Sequence, residues 1–326
     1  MSRQPRPRDR KPSLQGRPQP HIAALEVEAI VLDYIPEGNP RDPHREHRSK
    51  PVVQGLGVRR LHLVDGVPLH EVDILERVTL AREVVYNVPI IARLPGGVER
   101  RVKSVSVAVT CLPGQAREGG VREIYCYPLS YADQATLEAL QQLLGEGDER
   151  HRYILVDSPD KLSEVARGHG LSGKIVSTPR DPISYQDLTD VARATLPDAV
   201  RKLVREREEF FVEFFNVAEP INIRIHALEA LKGVGKKMAR HLLLERERRR
   251  FTSFEEVKKI LKIDPAEALA EKILEEIECR DTVKYYFFVE PCDPSKPYLG
   301  YTERMWKSYA ARVRARREAA GGESGS

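Results

Sequence analysis

All eight phenylalanines of this 326-residue chain lie after residue 209. They stand at 210, 211, 214, 215, 251, 254, 287 and 288. Large aromatic rings dominate the cores they enter, so the two parts of the chain must build their interiors from different residues. The late part packs round Phe, and the early part round Val, Ile and Leu. The skew therefore predicts a helical unit with its own aromatic core, set apart from a β-rich N-terminal part, and an α+β class overall.

Residue texture places the boundaries. Between 25 and 111, short runs such as Val27–Asp33, Pro51–Gln54, Arg59–Val64, Ile74–Leu80 and Val98–Thr110 alternate with PEGNPRDP, VDGVP and LPGGV. Strand formers between Pro/Gly/Asn/Asp punctuation read as a small antiparallel sheet or barrel. Residues 112–180 read as a small α/β insert: strand Arg122–Tyr127, helix Tyr131–Leu144, strand Tyr153–Asp157, helix Asp160–Arg167, strand Lys174–Ser177. Residues 181–290 form the helical part, opened by a cap at Ser184 with Asp187, then a long helix from Pro197 to Phe215. Two basic ends flank these units. Residues 1–24 carry Arg3, Arg6, Arg8, Arg10, Lys11 and Arg17 among prolines and read as a disordered tail. Residues 291–326 form a basic C-terminal extension with a helix over Glu303–Ala320.

Composition excludes several classes. No apolar run approaches the ~18 residues of a membrane span, and the basic N-terminus has no apolar stretch behind it to make a secretory signal. Cys111, Cys126, Cys279 and Cys292 are scattered without a CxxC pair, which gives neither a zinc knuckle nor a disulfide framework. A reduced, cytoplasmic setting is the expectation. A charged share of 31% with few asparagines fits a heat-adapted protein. The net charge of +4 is a near-cancelled sum of 53 basic and 49 acidic residues, so only its distribution informs.

That distribution points to Ile225–Glu247, IHALEALKGVGKKMARHLLLERE. Two apolar helical runs flank a Gly-Val-Gly turn, the pattern of a helix-hairpin-helix. Gly233 and Gly235 allow backbone angles closed to other residues and let a phosphate backbone come near. Val234 plugs the hairpin. The second helix begins near Lys236, so its free N–H groups and positive dipole end face an anion. Lys232, Lys236, Lys237 and Arg240 add charge there. Such a motif grips phosphates and not base edges, so its binding is nearly sequence-independent. A second half follows: a capping box at Ser253 and Glu256, then a turn at Ile263-Asp264-Pro265 that offers a carboxylate where the first offers lysine. This half completes the core. Arg248 and Arg249, between the halves, are further phosphate candidates, beside the alternative of a solvated helix end.

The stretches SYQDLTDVARATLP, FVEFFNVAEPINIRIHALEALKGVGKK and FTSFEEVKKILKIDP, with VLDYIPEGNP, KPVVQGLGVRRLHLVD and ILERVTL earlier, resemble an archaeal family, domain of unknown function 655. The resemblance covers 27–110 and 180–290. It implies an OB-like β-barrel, a paired helix-hairpin-helix unit and RNA binding, in translation or ribosome assembly. The barrel part is poor in aromatics: before residue 111 it has only Tyr34, read mainly as a core residue, and Tyr86. Arg45 and Arg48 in the loop 36–50, with Arg59 and Arg60, supply a phosphate-facing surface instead. Charge-driven contact with structured RNA fits this better than base stacking.

Other signals are weaker. Gly168–Lys174 has Walker spacing, but Ile175 stands where a magnesium-binding hydroxyl belongs, and the order is helix, loop, strand. His44 and His47 stand three apart in an Arg-rich loop without cysteine, which argues against a metal. His226 and His241 read as packing residues more than phosphate ligands. The four phenylalanines at 210–215 read as core. No catalytic constellation emerges and no cofactor is implied. The expected function is non-sequence-specific binding of RNA, such as rRNA or the ribosome. Alternatives are DNA binding in repair or replication, a nucleic-acid-processing enzyme, and a protein adaptor.

Overall fold

The computed structural model describes residues 25–93, 99–116, 121–130, 132–145 and 150–322. The basic N-terminal tail lies outside these residues. The early strands are β1 (Glu28–Ile35), β2 (Val52–Gly57), β3 (Leu63–Pro68), β4 (Arg77–Arg93) and β5 (Glu99–Ala116). Next come β6 (Arg122–Pro128), α1 (Gln134–Gly145), β7 (His151–Leu155), α2 (Pro159–Gly168) and β8 (Ile175–Thr178). The helical part holds α3 (Asp190–Glu206), α4 (Glu208–Phe211), α5 (Glu213–Val217), the short strands β9 (Pro220–Asn222) and β10 (Ile225–His226), then α6 (Lys236–Arg248), α7 (Phe254–Leu261), α8 (Pro265–Ile277) and α9 (Tyr301–Gly322).

Eight strands form one sheet in the order β1-β2-β3-β8-β4-β5-β6-β7, and β1 also pairs with β4. The pairings β1–β2–β3–β8–β4 therefore return to β1. β4 serves two partners. Its residues Thr79–Arg82 lie parallel to β8, while Arg82–Arg93 run antiparallel to β5. β8 thus ties the segment 112–180 into the first strands, and that segment is not self-contained. Every strand of the ring contributes to one apolar cluster: Ala29, Val31, Val53, Val64, Val78, Leu80 and Val176. Ile30 and Leu32 point the other way, into the helices. Burial on both faces explains why the run from Ala29 to Leu32 is apolar at every position instead of alternating.

The separate aromatic core expected for the helical part is corrected. The largest cluster joins Ile30, Leu32, Leu56, Val58 and Leu63 of the early strands to Phe210, Phe211, Phe214, Phe215, Phe287 and Phe288. The cause is α3, whose buried stripe Ala192, Leu196, Ala199, Val200 and Leu203 belongs to this cluster. Buried polar groups fix its start: Gln54 receives the Thr189 N–H and donates to the Asp187 carbonyl, and the Thr189 hydroxyl donates to Asp33. Arg207 seals the joint. Its guanidinium donates to the Val58 carbonyl and stacks 4.4 Å from Phe210 and 4.9 Å from Trp306. Burial lowers its pKa to about 10.

Other differences have local causes. The long helix begins at Asp190, capped by Thr189, and breaks at Arg207, not at Phe215. The four cysteines are paired, Cys111 with Cys126 and Cys279 with Cys292. Cys111 and Cys126 are direct cross-strand partners on β5 and β6, a proximity that sequence spacing does not reveal. Helix α9 is no free arm. Tyr301 and Met305 are buried, Arg312 pairs with Glu213 and Glu209, and Arg316 pairs with Glu209. No helix among the described residues is long and apolar enough to cross a membrane.

Candidate nucleic-acid interface

The Gly-Val-Gly segment forms a tight turn into α6. Its leading element is shorter than the sequence suggests: a 3-10 helix, Ala227–Ala230, replaces the first apolar helix. His226 sets this limit. Its Nδ1 accepts the Leu228 N–H while its backbone N–H donates to the Glu229 carboxylate. Burial pulls the imidazole pKa down, and the ring caps the turn through Nδ1. His241 is exposed on α6.

Gly233 takes φ +83°, a conformation that favours glycine. Val234 is buried, and its N–H donates to the Leu231 carbonyl. Gly235 is different. It has φ −88°, and a side chain built there meets nothing within 4 Å. Folding therefore leaves room for a side chain at 235, and the sequence keeps that room open. Gly235 has no side chain to cap α6, and no acidic residue occupies the first turn. The first N–H groups of α6 thus lack intrahelical partners, as at any helix start. Lys236, Lys237 and Arg240 are exposed around them, with no carboxylate within 4 Å among the described residues. Spacings of three and four residues put Arg240 beside both lysines.

The remaining candidates divide. Lys232 pairs with Glu271 at 3.0 Å. Arg248 pairs with Glu245, and Arg249 with Glu256, each at 2.8 Å. Both pairs are exposed, so they add little stability and exchange readily. Arg250 and Arg246 are structural: the first binds the buried Glu213, and the second donates to the carbonyls of Phe215, Asn216 and Ala218. A cleft of about 470 Å³ beside the turn is lined by Glu229, Glu271 and Glu275 as well as Lys232 and Lys272. These carboxylates make the cleft unfavourable to a phosphate, whereas none of them lies on the rim at Gly235–Lys237.

On the early strands, Arg59 lies 5.9 Å from the Trp306 ring, and Arg60 approaches Glu303 at 3.9 Å, so both border α9. Arg45 and Arg48 are exposed on the loop 36–50, where Arg48 donates to the Asp42 carbonyl. Tyr34 is not a core residue; it is 38% exposed. Tyr86 packs in the cluster beneath α1.

The same loop holds groups that sequence reasoning set aside. His44 and His47 converge on Asp65 of β3, with Nδ1 to Oδ2 distances of 3.0 and 2.6 Å. Asp42 closes the group at 3.6 and 3.9 Å from the two Nδ1 atoms. Hydrogen bonds to Asp42 and then Asp65 push the His44 pKa up to about 10. Burial pulls His47 down, but its bonds to Asp65 and Glu83 outweigh this and raise it to about 9. The local run Asp42-Pro-His44-Arg-Glu-His47 carries three of the four groups. The fourth, Asp65, arrives through strand pairing.

Comparison with known proteins agrees on one family. A family model described as a protein of unknown function, DUF655, matches residues 25–290. An uncharacterised protein of Methanocaldococcus jannaschii is 33% identical over 170 residues, covering 50% of this chain and 76% of its own length. The crystal structure of an Archaeoglobus fulgidus protein, described by the same family model, aligns over 81% of this chain and 100% of its own, with 23% identity and a TM-score of 0.42.

Proposed function

The chain belongs to the DUF655 family, and from this premise we infer that it is a nucleic-acid-binding protein whose preferred partner is structured RNA. The observation that carries this reading is the start of α6. An uncapped helix N-terminus, an open glycine and three unpaired cations occur together on one exposed edge. That arrangement suits a phosphate: backbone N–H groups orient toward it, the helix dipole favours it, and Lys236, Lys237 and Arg240 neutralise it. The two successive turns, at Gly233–Gly235 and Lys262–Asp264, support a paired helix-hairpin-helix in which one half binds and the other braces.

The ring of five strand pairings supports a small closed barrel of the OB type. Such barrels bind single strands by stacking on aromatics, and the exposed Tyr34 with Arg45 and Arg48 offers only a sparse version of that surface. Charge-driven contact with RNA backbones, as on rRNA or the ribosome, fits these residues better.

Fluorescence anisotropy with a labelled structured RNA and a duplex DNA of equal length tests the reading. Tighter RNA binding that weakens steeply with salt is the expected result. Preference for the duplex DNA moves the protein to the alternative of a repair or replication factor. Unchanged affinity in a Gly235→Asp, Lys236→Glu double variant removes the α6 edge from the interface.

A further inference from the structure

We propose that Asp42, His44, His47 and Asp65 form a binding site for one divalent transition-metal ion, with zinc the best match, which pins the loop 36–50 to β3. The site is independent of the nucleic-acid reading.

The donor atoms come first. One ligand atom from each of the four residues lies within 4.8 Å of all the others. Zinc bonds to imidazole nitrogen and carboxylate oxygen of about 2.0–2.2 Å imply donor–donor separations of about 3.3–3.5 Å in a tetrahedron. The four N–O separations are 2.6, 3.0, 3.6 and 3.9 Å, which bracket that value. Shifts of about 0.4–0.7 Å at the two extremes bring them to it.

Burial is the second, independent argument. Asp42, His47 and Asp65 are 0%, 1% and 1% exposed, and Asp42 Oδ2 and Asp65 Oδ1 have no hydrogen-bond partner. Two dry carboxylate oxygens without donors are expensive to bury. A cation that draws on both oxygens of a carboxylate removes that penalty. With raised pKa values the two imidazoles are protonated and balance the two carboxylates in the metal-free site, so a divalent ion enters by displacing their two protons and leaves the same neutral total.

The surroundings are arranged as outer partners of a metal site. Imidazole ligands commonly pass their second N–H to a carboxylate, which fixes the ring. His47 Nε2 faces Glu83 Oε2 at 3.8 Å on the side away from Asp65. The loop is held from within: the His44 N–H donates to Asp42, and the Asn39 N–H to the His47 carbonyl. Thr178 of β8 donates to the Asp65 carbonyl. Only His44 reaches solvent, with its side chain 20% exposed, so it marks the entry path. A site this closed is structural, and its effect is to hold the exposed Arg45 and Arg48 in place.

The donor set selects the metal. Two imidazoles with carboxylates and no thiolate favour zinc or a neighbouring first-row ion over magnesium or calcium, which prefer all-oxygen shells.

The test uses the full chain, purified, stripped with a strong chelator, then titrated with Zn²⁺ against a chromophoric competitor while melting is followed. One equivalent of zinc should bind with submicromolar affinity and raise the melting temperature, with magnesium and calcium inert. His44→Ala, at the solvent edge, should stay folded and bind at least 100-fold more weakly, and Asp65→Asn should do the same. Failure of the stripped protein to take up zinc, or an unchanged melting temperature with and without it, overturns the proposal and leaves a His–Asp ion-pair cluster. Zinc affinity unchanged in folded His44→Ala, or uptake of magnesium in preference to zinc, overturns it as well.

Discussion

The two turns of the helical part are built on one backbone plan and differ in chemistry at the cap. In each, a residue of positive φ precedes an apolar plug, then a cap, then a helix. The first reads Gly233, Val234, Gly235 before α6, and the second Lys262, Ile263, Asp264 before α8. They touch: Ile263 lies where a side chain on Gly233 would meet it at 3.5 Å. At the cap they part. Asp264 accepts the Ala266 and Glu267 N–H groups and pairs with Arg205 at 3.1 Å, so the start of α8 is satisfied from within. Gly235 has no side chain to do the same at the start of α6. One side chain separates a brace from the proposed binding edge.

The largest effect should come from removing what anchors the second half. Glu276 on α8 is fully buried, accepts the N–H groups of Phe287, Phe288 and Val289, and pairs with Lys272 at 3.3 Å. Glu276→Ala leaves those donors and a buried cation unpaired, a loss of about 3–5 kcal/mol by chemical denaturation. No buried carboxylate of this kind lies on α6, so substitution of its exposed Lys236, Lys237 or Arg240 should spare stability.

Next is the exchange of caps. Gly235→Asp copies the second turn into the first. Stability should hold or rise by a few tenths of a kcal/mol, since an Asp cap is slightly better than Gly and the space is open. RNA affinity should drop at least tenfold. Affinity kept in a well-folded variant would show that the comparison has no functional content. The reverse experiment, Asp264→Ala, should lower stability by about 1–2 kcal/mol and leave RNA binding unchanged, as read by melting and anisotropy on one sample.

The smallest effect concerns the shared positive φ. Lys262 has φ +58°, a strained choice for a residue with a side chain. Lys262→Gly should therefore stabilise by up to about 1 kcal/mol, and Gly233→Ala should destabilise by a similar amount. Equal responses of opposite sign would establish that the turns share one backbone.

Much of this was legible in the chain. The strand at VEAIVLD, the α/β alternation of 122–177, the start of α6 at Lys236 and the caps at Ser253 and Asp264 all follow from local rules of periodicity, turn chemistry and capping. The short 3-10 turn before Gly233 did not, because a histidine cap competes with helix propensity and leaves no composition signal. Lys232, Arg248 and Arg249 looked free because their partners sit on other turns or elements, at Glu271, Glu245 and Glu256. His44 and His47 looked isolated for the same reason: Asp65 lies on another strand, and register alone brings it across.

Sequence alone determined where chain conformation is constrained, since capping, φ preference and apolar period act within a few residues. It located the Gly-Val-Gly turn and its lysines. Tertiary structure decided which charges remain available, which cysteines meet, and that strands and helices share one interior. Those outcomes depend on which surfaces pack together, and packing joins residues that are distant along the chain.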